Sequence, residues 1–176
     1  LGRAIVGRRD QVVICTKVPA LLVPPGEAQP GQRANYTRAH LTDRLEESLR
    51  RLGTDYVDLY LLHHRDEGTP PAAIAEVMQD LVAAGKTRYW GLSNHSAAET
   101  GAFLKEARIA GVEDYYNIAG SHCDADGRPR VAIYEEEMIP LLKRENLGCL
   151  AFSPMDTGLL APAVPEDPAL AALAAS

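Results

Sequence analysis

The stretch G-K-T-R-Y-W-G-L-S-N, Gly85 to Asn94, reads as one junction of an alternating α/β chain. Gly85 closes a helix, Lys86 and Arg88 follow, and a short apolar run reads as a strand. That strand ends in a hydroxyl and an amide, Ser93 and Asn94, side chains able to hold a ligand. Before it, Ile74, Val77, Met78, Leu81 and Val82 recur at helical spacing, with Thr69 as cap and Pro70 at the first helical position. After it, Ser96 and Glu99 have capping-box spacing and open a helix that runs past Phe103 and Leu104 to Gly111.

The same unit repeats outward from this junction. Gln11 to Thr16 is a short β-branched run that predicts a buried strand ending at Lys17. Pro19 to Gln32 holds too many breakers for regular structure and reads as a loop. Leu41, Leu45, Leu49 and Leu52 mark an amphipathic helix stopped by Gly53, and Tyr56 to Leu62 is a strand ending at His63-His64-Arg65-Asp66. Asp114 to Asn117 fits a short strand and Ala119 to Arg130 a turn-rich excursion. Met138 to Leu147 fits a helix with Pro140 in its first turn, and Leu147 to Phe152 the last strand. The alternation predicts an α/β fold with about five parallel strands and intervening helices. In such folds ligands bind at the carboxyl ends of strands. Here those ends carry Lys17, His63, Ser93-Asn94, the Glu113 to Asn117 region and Phe152-Ser153.

With 176 residues, 46% of them hydrophobic, one core is expected, over 1–160, followed by an Ala- and Pro-rich tail at 161–176. The net charge of −6 argues against duplex nucleic acid as a partner. There is no apolar span of membrane length and no charged-then-apolar leader. Cys15, Cys123 and Cys149 show no C-x-x-C spacing, which favours a reducing, cytoplasmic setting and no metal. Cys15 and Cys149, lying in apolar runs, are expected to be small buried hydrophobes.

Two motifs are coincidental. His64-Arg65-Asp66 spells a kinase triplet, but Pro71 stands where the metal-binding Asn belongs. Asp124-Ala-Asp126-Gly127 is half a calcium loop and reads as a turn. Neither G-x-G-x-x-G nor G-x-x-x-x-G-K occurs. Lys17 can depress the pKa of a neighbouring acid, and a histidine at a strand end can orient a carbonyl or shuttle a proton. Because strands alternate faces, only one of His63 and His64 is expected to point into a central site. Ser93-Asn94 can cap the next helix instead of holding a ligand, and Phe152 fits the core.

Taken in order, V-V-I-C-T-K, L-E-E-S-L-R-R-L-G-T-D-Y-V-D-L-Y-L-L-H, G-K-T-R-Y-W-G-L-S-N, Y-Y-N and L-G-C-L-A-F-S-P-M resemble the aldo-keto reductase family. The resemblance implies a partial (β/α)8 TIM barrel, strands three to seven, that binds NADP, with NAD possible, without a Rossmann domain. It implies that Lys17 and His63 belong to an Asp-Tyr-Lys-His tetrad, His63 lying five residues after Asp58. Ser93 and Asn94 match the pair that bonds the nicotinamide carboxamide, and Glu113 aligns with a glutamine of that site. Phe152 stands where a tyrosine usually stacks on the nicotinamide. Ser153, Pro154, Met155, Gly158 and Leu159 fall in the segment that wraps the pyrophosphate.

The implied chemistry is hydride transfer to a small carbonyl substrate with proton donation from a tyrosine. A cation about 4 Å from that tyrosine stabilises its anion by roughly 4 kcal/mol at an effective dielectric of about 20. The tetrad's Asp and Tyr find no match here, so the chain alone is expected to be inactive. The alternative is a noncatalytic module that binds nucleotide or protein.

Overall fold

The computed structural model describes residues 1–20, 36–66, 68–120 and 122–161. Most of the Pro19–Gln32 loop and all but the first residue of the 161–176 tail therefore lie outside the described residues. The elements are β1 (Cys15–Val18), α1 (Arg38–Leu52), β2 (Val57–Leu62), α2 (Pro71–Ala83), β3 (Thr87–Ser93), α3 (Ala97–Glu106), β4 (Gly111–Tyr115), α4 (Arg130–Ile133), α5 (Ile139–Glu145) and β5 (Gly148–Phe152). The strands lie in chain order in one sheet, β1-β2-β3-β4-β5. β1 and β2 are parallel with Lys17 opposite Leu61, and β2 and β3 are parallel with Leu62 opposite Leu92. Two compact units, 1–112 and 113–176, divide within β4.

In the first unit, the apolar face of α1 buries Leu41, Leu45 and Leu49. Each such side chain contributes about 1.5–3 kcal/mol. Thr37 caps the helix by accepting from the His40 amide. Gly53, left-handed at φ 67°, ends it by donating to Leu49 O and Arg50 O. α2 starts one residue later than expected: Pro70 is the N-cap and Pro71 the first helical residue. Thr69 does not cap it, and its hydroxyl accepts from the Tyr36 amide instead. The capping box of Ser96 and Glu99 is present in both directions. Trp90 of β3 meets Phe103 of α3 edge to face, with ring centroids 6.2 Å apart. Gly91 is required where β3 passes β4, because a Cβ there would lie 2.2 Å from Gly111 O.

β1 is shorter than the apolar run suggested. Arg9–Gln11 forms a 3-10 turn, and the ladder begins only at Cys15. The cause is visible in Arg9, whose guanidinium turns back to Val12 O and Tyr56 O.

In the second unit, helix begins at Arg130, eight residues before the expected start. It passes through a π-helical segment, Tyr134–Met138, into α5. Pro140 explains the wide turn: it has no N–H to offer, and its ring would meet the carbonyl four residues back in a regular helix. Ile139 donates to Tyr134 O, five residues back.

All three cysteines are exposed, which corrects the expectation for Cys15 and Cys149. Each of these two lies on an outer strand of the described sheet. In β5 every residue from Gly148 to Ala151 is exposed.

Candidate active site

Four of the expected residues come together in the first unit. Lys17 is half-buried in the last turn of the β1 ladder, one residue before its end. His63 follows β2 directly and donates its amide to Val18 O at 2.9 Å. Asn94, left-handed at φ 60°, donates through Nδ2 to His63 O at 3.0 Å and to Ser93 Oγ at 3.0 Å. The ends of β2 and β3 are thereby tied side chain to backbone.

Ser93 is 1% exposed. Its hydroxyl oxygen accepts from Asn94 Nδ2. His95 fixes the same turn. Its Nδ1 donates to Ser93 O at 2.8 Å, and burial pushes its imidazolium pKa down, so the ring is held neutral.

His63 and His64 do not separate onto opposite faces. β2 ends at Leu62, alternation ends with it, and the two rings stack with centroids 4.2 Å apart and 13° between planes. Asp66 of the His64-Arg65-Asp66 triplet accepts from the Gly68 and Tyr36 amides at 2.6 Å each. It is a turn residue here, in keeping with the rejection of the kinase motif.

The other end of β2 carries a second polar cluster. Asp58 accepts from the Ile14 amide at 2.9 Å, from Arg9 at 2.7 Å and from Arg88 at 2.9 Å. Arg9 and Arg88 also both lie over the Tyr56 ring, at 3.9 and 4.6 Å from its centroid. Burial pushes the Asp58 carboxyl up, but the Ile14 amide and the two arginines outweigh it and hold the group below its ordinary value. This cluster stands at the amino end of the strand, opposite in direction to His63, where barrels place stability rather than chemistry.

In the second unit, Glu113 is half-buried in β4, and a carboxylate there accepts hydrogen bonds without donating. Phe152 ends β5, half-buried, with its ring edge to face with Tyr115 at 6.1 Å. The loop that follows is unusual in backbone: Ser153, Asp156 and Thr157 have positive φ of 57°, 46° and 57°. Two side chains from the end of β4 hold it. Asn117 donates to Ser153 O at 3.0 Å, and Tyr115 donates to the buried Asp156 carboxylate at 2.8 Å. Pro154 and Met155 are exposed, and Met155 O accepts from Gly158 and Leu160, so Gly158 and Leu159 continue one compact turn.

Sequence reasoning missed His95 and Asp156, and it placed the Glu113 to Asn117 region at a strand end without the ties of Tyr115 and Asn117 to the following loop. An acid in an otherwise small and apolar segment was the available signal for Asp156. The Asp124–Gly127 segment is a turn closed by Asp124 Oδ1, which accepts from the Asp126 and Arg128 amides. Among the described residues no group of three His, Cys, Asp or Glu side chains is placed to hold a metal ion. No helix among them is long and apolar enough to cross a membrane.

The model of the Aldo/keto reductase family matches residues 1–172. Aldo-keto reductase YhdN of Bacillus subtilis is 32% identical over 169 residues, 95% of this chain and 46% of that protein. L-glyceraldehyde 3-phosphate reductase of Escherichia coli is 30% identical over 157 residues, 86% of this chain and 41% of that protein. An aldo-keto reductase of Bacillus halodurans in its holo form superposes with a TM-score of 0.72 at 28% identity, over 94% of this chain and 51% of the other. One from Klebsiella pneumoniae in complex with NADPH gives 0.68 at 32% identity, over 91% and 49%. The chain spans about half the length of the curated relatives it matches.

Proposed function

The chain belongs to the aldo/keto reductase family, and from that membership we propose that it forms the central part of an oxidoreductase that reduces an aldehyde or ketone with NADPH, NADH being the second choice. The observation that carries this reading is the tie between strand ends in the first unit: Asn94 bonded to both His63 and Ser93, with Lys17 on the adjoining strand.

The donor set suits a nicotinamide. The Ser93 hydroxyl would donate to the carboxamide oxygen, and Asn94 shapes the turn that presents it. When bound, the cofactor supplies the hydride. Lys17 places an ammonium near the reacting oxygen and favours negative charge there. His63 donates a hydrogen bond that orients the carbonyl. By the family resemblance, Phe152 would offer a π face to the nicotinamide ring and Ser153 to Leu159 would lie along the pyrophosphate. Glu113 departs from the family's glutamine and accepts only.

No tyrosine of this chain is assigned as proton donor. Tyr36 is excluded because its phenol is buried against backbone carbonyls and burial pushes its pKa up to about 12. The 176 residues alone are therefore expected to give no useful aldehyde turnover, and steady NADPH consumption by them would refute this. In the complete protein, Lys17→Met lowers kcat by at least a hundredfold with a smaller change in NADPH affinity. An unchanged kcat removes Lys17 from the mechanism.

The acceptor-only Glu113 favours a second reading, a nucleotide-binding module without turnover. NADPH binding by calorimetry without aldehyde reduction in the complete protein selects it.

A further inference from the structure

The β2 ladder ends at Leu62, so it does not by itself fix the ring of His63. A chain of contacts leads to that ring from Tyr36, a residue the functional reading leaves unused. Tyr36 is 1% exposed. Its hydroxyl oxygen accepts from the His64 amide at 3.2 Å, and its hydrogen points between His64 O at 2.8 Å and Val18 O at 3.1 Å. One phenol thus clasps both backbone groups of His64 and the end of β1. The Tyr36 backbone is itself fixed, its amide donating to Asp66 and Thr69. The His64 ring, carried by this clasped backbone, lies parallel to the His63 ring at 4.2 Å.

We propose that Tyr36 and His64 are positioning residues for His63: the phenol sets the His64 backbone, and the His64 ring sets the plane of the His63 imidazole. This rests on His63 acting on the carbonyl, as proposed above. Two contacts of the clasp hold the backbone of His64, and so the Cα from which its ring projects, while the third ties the phenol to the end of β1. A misplaced orienting group costs rate and leaves cofactor binding in place.

The test uses the complete protein with Tyr36→Phe, His64→Ala and His64→Phe. NMR of the His63 ring protons reports the stack directly through the ring-current shift of its neighbour, independent of turnover. The shift is expected to persist in His64→Phe, to vanish in His64→Ala and to shrink and broaden in Tyr36→Phe. With NADPH and an aldehyde, Tyr36→Phe and His64→Ala are each expected to lower kcat about tenfold, with the KM for NADPH changed less than twofold and His64→Phe close to the parent. The proposal is overturned by Tyr36→Phe with unaltered His63 signals. It is equally overturned by a kcat loss in Tyr36→Phe that His64→Ala does not share, since the tyrosine would then be scaffold only. If His63→Ala leaves kcat unchanged, the functional reading fails, while the ring shifts still decide whether Tyr36 and His64 hold the imidazole.

Discussion

Replacing Asp58 tests whether the amino end of β2 is held as described. Its carboxylate, 7% exposed, serves the Ile14 amide, the largely buried Arg9 and the half-exposed Arg88. Asp58→Ala leaves a buried amide without its acceptor and Arg9 without its counter-charge, a combination that costs about 3–5 kcal/mol. The Arg88 contact, mostly in solvent, adds less than about 1 kcal/mol. Asp58→Asn keeps an acceptor for Ile14 and loses the charge, so about 2 kcal/mol is expected. Urea unfolding followed by circular dichroism reads both. With a slope of about 2 kcal/mol per molar urea, the alanine variant should shift its midpoint by about 2 M.

The pH dependence has a definite sign. The folded carboxyl titrates below its unfolded value of about 4, so its stabilisation is complete above about pH 4 and is lost as the pH falls through the folded value. The gap between parent and Asp58→Asn should therefore close below about pH 4. A gap of equal size at pH 7 and pH 2.5, or an Asp58→Ala protein as stable as its parent, would refute the argument.

Three other perturbations follow from the geometry. Gly91→Ala puts a methyl 2.2 Å from a backbone oxygen. It should cost about 3 kcal/mol, read as a fall in Tm of several degrees, whereas Gly101→Ala, where nothing lies nearby, should not. Ser96→Ala removes one half of the capping box and should cost about 1 kcal/mol, with faster hydrogen exchange in the first turn of α3. Tyr115→Phe removes a buried hydrogen bond to the Asp156 carboxylate and should cost about 2 kcal/mol, with Phe152→Leu as a control that retains it.

Much of the fold was legible because its signals are local. The leucines of α1, Gly53 at its end, the capping box of α3 and the apolar runs of β2 and β3 are set by residues within a few positions of one another. The strand-end residues of the first unit were legible for the same reason: each closes its own strand. What was not legible depends on distant partners. β1 starts late because Arg9 turns toward Tyr56 and Asp58, forty-seven and forty-nine positions away. Helix at 130–138 was hidden because a π turn absorbs Pro140 and slips the periodicity that would have revealed Tyr134 and Met138 on one face. Tyr36 and Asp156 act through partners 28 and 41 positions away. No short window contains both members of either pair.

Asp58 near the start of β2 and His63 just past its end lie five positions apart and meet different surroundings. Asp58 is held by the Ile14 amide and by two arginines, whereas the His63 ring stacks on that of His64. On the function proposed above, a change at Asp58 is read first in stability and a change at His63 first in turnover.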